Sequence, residues 1–265
     1  LLFPGFMNAT FDRWFATPAT QIAMFHTFFN VVCTVIFLPL SEGFVKISQR
    51  MIPEKETAEA FTYLDERMLL TPALAIEQLK KETVVLGEWA MDAFDTAYRA
   101  FCQKDKGAAA QIQEKIEKAQ EKSNQIMAYV IKTSAVAGES AEKEVSIVHN
   151  NVADIMRIAE IADNFVKYTA RICDSQLSLS ETAATGTNEM VDFIHRLFQC
   201  TKELILTGDL TLLPHIDSIE EKIDNYRKTL IDDHIDRVNS GVCTPTISSV
   251  YINLVSNLER LGDHI

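Results

Sequence analysis

The sequence predicts an all-α protein in which one transmembrane helix precedes a pair of three-helix bundles. Glycine and proline are scarce, at 9 and 7 of 265 residues, and such a composition favours helix over sheet. Residues 14–41 contain no Asp, Glu, Lys or Arg, and about 20 mostly apolar residues suffice to span a membrane. After Pro53, apolar residues recur at helical spacing in long segments with short breaks between them.

Residues 1–53 are expected to be the end of a membrane transport domain with one transmembrane helix over residues 15–40. Thr17 suits the N-cap of this helix, and a proline follows in its first turn. Lys46 and Arg50 come after the apolar run, so the positive-inside rule predicts that the following body lies in the cytoplasm. The chain opens inside an apolar stretch, LLFPGFM, and we interpret it as a fragment of a longer protein.

A polar row interrupts the predicted membrane helix. His26 and Asn30 are four residues apart, so they share one helix face. Polar side chains are costly on a surface that faces lipid. We therefore expect this face to turn toward other transmembrane helices or a transport path. The alternative is hydrogen bonding between helices without any contact with a substrate.

Charge separates the head of the chain from its body. The formal net charge is -12. Three basic and two acidic residues precede Pro53, so the head carries +1 and the remainder carries -13. An acidic body excludes nucleic acid as a partner, because phosphates need a basic footprint. The five cysteines form no CxxC pair, and scattered single cysteines favour a reducing compartment.

The body is predicted to be a repeat of three helices. A helical connector at residues 54–71 leads to bundles at residues 72–178 and 179–265. The bundles follow from an internal repeat at an offset of one hundred residues, in which EKSN aligns with EKID and IAEIADN aligns with LERLGDH. The predicted helices cover residues 72–103, 108–132, 142–172, 188–206 and 214–238, with a last helix from 246 onward.

Four acidic residues of the second bundle are candidate metal ligands. Glu220 and Asp224 have the same four-residue spacing as Glu259 and Asp263, and each pair lies on one face of its helix. Antiparallel packing of the two helices would bring the pairs face to face. Four carboxylates on facing helices would form an oxygen-rich site for iron, manganese or magnesium.

The alternative is a solvated acidic face whose carboxylates pair with Arg260 or Lys222. The first bundle offers little for comparison, because only one carboxylate remains at the matching positions and no metal site is expected there. Those positions are Gln120, Asn124, Ala159 and Asp163.

Two stretches of the second bundle resemble the PhoU-like domain, a family built from two three-helix repeats. They are INLVSNLERLGDHI and IDSIEEKID. In that family, E/D-xxx-D motifs can hold metal clusters on the bundle surface. The resemblance therefore implies a PhoU-like pair of bundles and a site for iron or another divalent or trivalent metal at Glu220, Asp224, Glu259 and Asp263.

The head resembles a second family. QIAMFHTFFNVVCTVIFLPL is similar to the last conserved membrane segment of the sodium/phosphate cotransporters, and LDERMLLTPALAI is similar to the connector that follows it. In bacterial members, a PhoU-like domain commonly follows the membrane part. This resemblance implies sodium-dependent, inward transport of inorganic phosphate across the cytoplasmic membrane, with sodium as the coupling ion and with this chain supplying the last membrane helix and a cytoplasmic regulatory domain.

The alternative function is a PhoU-like, metal-binding regulatory or signalling module of phosphate homeostasis without transport activity of its own. The implied partners are membrane lipid, inorganic phosphate and sodium in the intact protein, and a second copy or a regulatory protein. An enzyme is not expected, because the sequence has no nucleophile–base pair, no GxxxxGK[ST] loop and no HExxH motif.

Overall fold

The computed structural model describes residues 17–51, 64–136 and 138–265, and no strand occurs among them. The all-α prediction is thus confirmed for these residues. The chain divides into two compact units, Leu1–Phe61 and Thr62–Ile265. Seven α-helices are described: α1 Pro18–Met51, α2 Pro72–Gln103, α3 Ala109–Val136, α4 Glu139–Asp174, α5 Glu181–Thr207, α6 Leu213–Asn239 and α7 Ser248–Asp263.

The described part of the first unit is the single helix α1. His26 and Asn30 are both exposed on it, and so are many of its large apolar side chains, including those of Ile22, Val35 and Leu38. Among the described residues, no helix combines the length and the apolar character that crossing a membrane requires. The transmembrane span predicted for residues 15–40 therefore lacks support from these residues.

The predicted connector falls largely outside the described residues. Its described part begins at Leu64 and contains one 3-10 turn, Glu66–Leu70. Asp65 caps this turn by accepting a hydrogen bond from the backbone N–H of Arg67 at 2.9 Å. Helix α2 then begins at Pro72, as predicted, because proline suits the first turn of a helix.

The first three helices of the second unit, α2, α3 and α4, pack against one another. Their core contains Phe94 and Phe165, whose rings meet edge to face at 5.4 Å between centroids. Burying such a large apolar side chain stabilises the fold by about 1.5–3 kcal/mol. One ion pair is also enclosed: Lys122 on α3 contacts Glu82 on α2, and both side chains are almost fully buried.

Helices α5, α6 and α7 pack around a core of their own that includes Ile194, Ile223 and Leu254. This core is continuous with the apolar cluster around Phe94 and Phe165. Since residues from Thr62 onward form one compact unit, the division into bundles at residues 178 and 179 stays a prediction. We refer to α2–α4 as bundle 1 and to α5–α7 as bundle 2.

The contact between the bundles, which we call the junction, joins α2 to α5 and α4 to α7. His195 Nε2 lies 2.8 Å from Asp95 Oδ1 across it, and both side chains are half-buried. A second histidine, His264, approaches Asp154 at 3.2 Å between Nδ1 and Oδ1. Each pair thus connects a residue of bundle 2 with a residue of bundle 1.

The His195–Asp95 pair should make the stability of the junction depend on pH. The hydrogen bond to Asp95 raises the pKa of His195 from its ordinary value, although burial opposes the shift. A histidine whose pKa is raised in the folded state stabilises the protein fully below its unfolded pKa of about 6.5. This contribution is lost as the pH rises through the folded pKa.

We therefore expect a double-mutant cycle of Asp95→Asn and His195→Gln, measured by urea unfolding, to give a coupling of up to about 1 kcal/mol near pH 5.5. Toward pH 9 the coupling should decrease, because the imidazole loses its charge and only a hydrogen bond from the neutral ring to the carboxylate can remain. The Lys80–Glu144 pair, at 2.8 Å, is the control, since lysine stays charged at both pH values. A coupling at His195 that does not change with pH would contradict this interpretation.

Candidate metal centre

The acidic residues of bundle 2 lie where α6 and α7 come close together. Gly262 of α7 faces Ile223 of α6, and a Cβ atom added at Gly262 would lie 3.3 Å from Ile223 Cδ1. This distance is shorter than most Cβ contacts, so a side chain at position 262 would require Ile223 to shift by a few tenths of an ångström. Because Asp224 follows Ile223 and Asp263 follows Gly262, the close contact places these two carboxylates on neighbouring parts of the helix pair.

Three carboxylates converge at this point. Asp224, Glu259 and Asp263 each offer one oxygen, and the three oxygens lie within 4.8 Å of one another. Asp224 and Glu259 are half-buried, whereas Asp263 is exposed. We call these residues the carboxylate triad. Among the described residues, no other three histidine, cysteine or acidic side chains are grouped in this way.

Glu220, the fourth predicted ligand, does not join the triad. It is exposed on α6, one turn before Asp224. In an antiparallel pair, earlier positions of α6 lie opposite later positions of α7. Glu220 therefore lies one turn beyond the level at which Asp224 meets Asp263, and its carboxylate stays outside the triad. The structure thus brings together three of the four predicted residues.

The triad concentrates negative charge. Burial raises the pKa of Glu259, the neighbouring Asp263 and Asp224 carboxylates raise it further, and Arg227 opposes the shift. Burial also raises the pKa of Asp263, and the charge of Asp224 adds to this effect. Both shifts mean that the ionised carboxylates are less favourable here than in water. A bound divalent or trivalent cation would remove that repulsion.

One basic side chain competes with a metal for this charge. Arg227 Nε lies 3.6 Å from Glu259 Oε1, which is too long for a good hydrogen bond. The sequence suggested Arg260 or Lys222 as partners, but the ion pair to the triad among the described residues comes from Arg227. Arg260 also acts on Glu259 and Asp263 through its charge, but burial and the neighbouring carboxylates outweigh both arginines, since the pKa values of Glu259 and Asp263 are raised.

Bundle 1 has no equivalent of the triad among its described residues. The side-chain amide of Gln120 donates a hydrogen bond to Asn124 at 3.2 Å, so the two neutral residues satisfy each other. Ala159 is fully buried and offers no ligand atom. Asp163, the remaining carboxylate, pairs with Lys167 at 2.7 Å. The described residues thus group carboxylates in bundle 2 and not in bundle 1, and a difference in metal binding between the bundles stays a prediction.

The donor set of the triad suits a hard cation. Carboxylate oxygens are preferred by magnesium and manganese and are common ligands of iron in helical bundles. Three such ligands leave coordination positions for water or a further group.

His26 and Asn30 belong to the other unit of the chain, and their proposed role in the membrane stays a prediction.

Sequence reasoning missed the contact between His264 and Asp154. His264 lies one residue off the face shared by Glu259 and Asp263, and no local pattern indicates where its imidazole points. Its partner lies 110 positions earlier in the chain, and only the packing of the two bundles brings these residues together.

Comparisons with known proteins bear on the fold that holds the triad. Residues 187–265 match the family model of the PhoU domain, and this range contains all three triad residues. The crystal structure of the phosphate transport system regulatory protein PhoU from Streptococcus pneumoniae has a similar fold, with a TM-score of 0.65 and 18% sequence identity over 73% of this chain and 91% of that chain. The PhoU-like fold that the resemblance implied is thus confirmed for the helical body.

Two further relatives align along nearly the whole chain. They are the proposed inorganic phosphate export proteins YjbB of Escherichia coli (strain K12) and of Shigella flexneri, each 20% identical over 271 residues. The alignment includes 99% of this chain and 49% of each relative. The chain therefore spans about half the length of these relatives. Their names refer to the export of inorganic phosphate.

The repulsion within the triad can be measured in metal-free protein. Asp263→Asn removes one negative charge, so it should raise the free energy of unfolding of chelator-treated chain near neutral pH by a few tenths to about 1 kcal/mol. Because the pKa of Asp263 is raised in the folded state, this gain should shrink as the pH falls and the native carboxyl becomes protonated. Urea unfolding at several pH values measures the effect.

Asp163→Asn is the matched control, because it removes a carboxylate that pairs with Lys167 and should not stabilise the chain. If Asp263→Asn destabilises the metal-free chain as much as the control does, the carboxylates of the triad do not repel one another.

Proposed function

We propose that this chain is a PhoU-like regulatory module of phosphate homeostasis and that its triad binds a divalent or trivalent metal such as iron or manganese. The observation that carries the proposal is that the triad lies within the residues that match the PhoU domain. The PhoU-like fold of the body and the phosphate-related names of its relatives support the same function.

The metal is the better explanation of the triad on energetic grounds. An exposed ion pair contributes at most about 1 kcal/mol, and Arg227 contacts Glu259 only at 3.6 Å. Three carboxylates within 4.8 Å of one another need more positive charge than Arg227 and Arg260 supply, because the pKa values of Glu259 and Asp263 stay raised. A metal ion that bridges α6 and α7 would satisfy this need and would stabilise the end of bundle 2.

The regulatory role requires a partner, which we propose to be a second copy of the chain or a regulatory or transport protein. The Streptococcus relative is described as the regulatory protein of a phosphate transport system. By analogy, the helical body would act in the cytoplasm, at the cytoplasmic face of the membrane. The five cysteines, which are all free thiols, suit a reducing compartment.

Phosphate transport by the intact protein is the second candidate. It is favoured by the alignment of nearly the whole chain with half of each YjbB relative. In this candidate residues 15–40 cross the membrane, His26 and Asn30 face other helices, and sodium is the coupling ion. The described residues contain no helix suited to a membrane span, so we rank this candidate second.

The relatives' names also bear on direction, because they state export, whereas the sequence resemblance suggested inward transport. Radiolabelled phosphate flux in membrane vesicles that contain the intact protein tests the transport candidate. It predicts a flux that requires a sodium gradient, and a flux independent of sodium would contradict it.

Metal analysis tests the proposed function itself. Replacing Glu259 and Asp263 by alanine removes two of three ligands, so iron or manganese bound after purification without chelators should be lost. Asp224→Ala should have the same effect. Metal content per chain is measured by mass spectrometry, and circular dichroism verifies that each variant is folded.

Two control variants sharpen this experiment. Asp163→Ala removes the matching carboxylate of bundle 1, and Glu220→Ala removes the acidic residue that lies outside the triad; both should retain the metal. If the unmodified chain carries no metal and takes up none when iron or manganese is added, the proposed site is only a charged helix surface.

A further inference from the structure

A cavity of about 110 Å³ lies at the junction, between α2, α4, α5 and the end of α7. We call it the junction cavity. Its inner wall is apolar: Val84 and Ile158 are buried there, and Phe198 is half-buried. An engineered apolar cavity of about 150 Å³ accommodates benzene, so the junction cavity has room for a ligand of about five heavy atoms.

The mouth of the junction cavity is acidic. Asp154 and Asp263 line it, and both are exposed to solvent. Lys202 also lines the cavity, but its ammonium group is paired with Glu88. The groups at the mouth therefore leave an excess of negative charge. Such a mouth repels phosphate and other anions and attracts a cation.

Asp154 has capacity for a further hydrogen-bond donor. Its Oδ1 atom contacts His264 at 3.2 Å, and an ionised carboxylate can accept several hydrogen bonds through its two oxygens. A cation at the mouth could thus contact Asp154 without breaking the contact with His264.

An apolar interior below an acidic mouth matches a molecule with an alkyl body and a positive end. Lysine side chains at protein surfaces behave in this way, because they bury their methylene groups and keep the ammonium in water. We propose that the junction cavity binds a primary alkylammonium group, with its alkyl chain against Val84, Ile158 and Phe198 and its ammonium at the mouth beside Asp154.

The alkylammonium group has two sources with the same chemistry. One is a free small amine, and the other is the end of a lysine side chain from a partner protein. The net charge of -13 on the body would attract either source. Asp263 also belongs to the triad, so the test uses chelator-treated chain, in which the outcome does not depend on whether the triad binds a metal.

Nuclear magnetic resonance titration of the full 265-residue chain with n-butylammonium tests the proposal. We expect saturable shifts at residues that line the cavity, weaker binding of the isosteric 1-butanol, and no binding of butanoate. Asp154→Asn should weaken n-butylammonium about fivefold, because a partly exposed charge is removed. Asp163→Asn, a carboxylate on α4 that does not line the cavity, should leave the affinity unchanged.

A second variant keeps the test independent of Asp154. Val84→Phe fills the interior and should abolish binding, while thermal unfolding verifies that this variant is folded. Butanoate binding as tightly as n-butylammonium, an unchanged affinity in Asp154→Asn, or the absence of saturable shifts would overturn the proposal. N-acetyl-lysine amide distinguishes the sources: its binding points to a partner's lysine, and its exclusion points to a free amine.

Discussion

The close contact between Ile223 of α6 and Gly262 of α7 determines where the acidic residues of bundle 2 lie. A Cβ atom at residue 262 would lie 3.3 Å from Ile223 Cδ1, so Ile223 would have to shift by a few tenths of an ångström, and a β-branched side chain would demand more. The adjacent carboxylates, Asp224 and Asp263, are therefore held side by side, and Glu259 joins them one turn earlier on α7. The apolar core, at about 1.5–3 kcal/mol for each large side chain buried, outweighs a repulsion on the order of 1 kcal/mol per carboxylate.

Bundle 1 has different residues at the positions that correspond to this helix contact. At the repeat offset of one hundred, Ser123 of α3 corresponds to Ile223, and Ala162 of α4 corresponds to Gly262. Bundle 1 thus has a smaller side chain at the first position and a larger one at the second. On α3, the neutral residues Gln120 and Asn124 correspond to Glu220 and Asp224 of α6. The charge buried in bundle 1 is instead the Lys122–Glu82 pair, which lies in its core. The two repeats thus share a helical arrangement, and among the described residues only bundle 2 groups three carboxylates closely.

Periodicity and breaker residues predicted the helices well, because these signals are local. The first bundle helix begins at Pro72 and ends at Gln103, as predicted. Helix α5 begins seven residues earlier than predicted, at 181 instead of 188, because Ser180 caps it by accepting a hydrogen bond from the backbone N–H of Ala183. Gly186 lies within this helix and lets Leu230 pack closely against it. The contacts across the junction could not be predicted, because their partners are about 100 positions apart in sequence and have no shared pattern.

We propose that the close packing of α6 against α7 brings the triad together as a metal site. Calorimetric titration of Mn²⁺ into chelator-treated chain tests it most directly when the unmodified chain is compared with Gly262→Val. We expect one ion per unmodified chain. In Gly262→Val the affinity for Mn²⁺ should fall about tenfold or more, because the added side chain pushes Asp263 away from Asp224, while circular dichroism should still show a helical protein. The absence of any heat of binding in the unmodified chain would contradict a metal site at the triad. The same affinity in a folded Gly262→Val chain would contradict its dependence on the packing of α6 and α7.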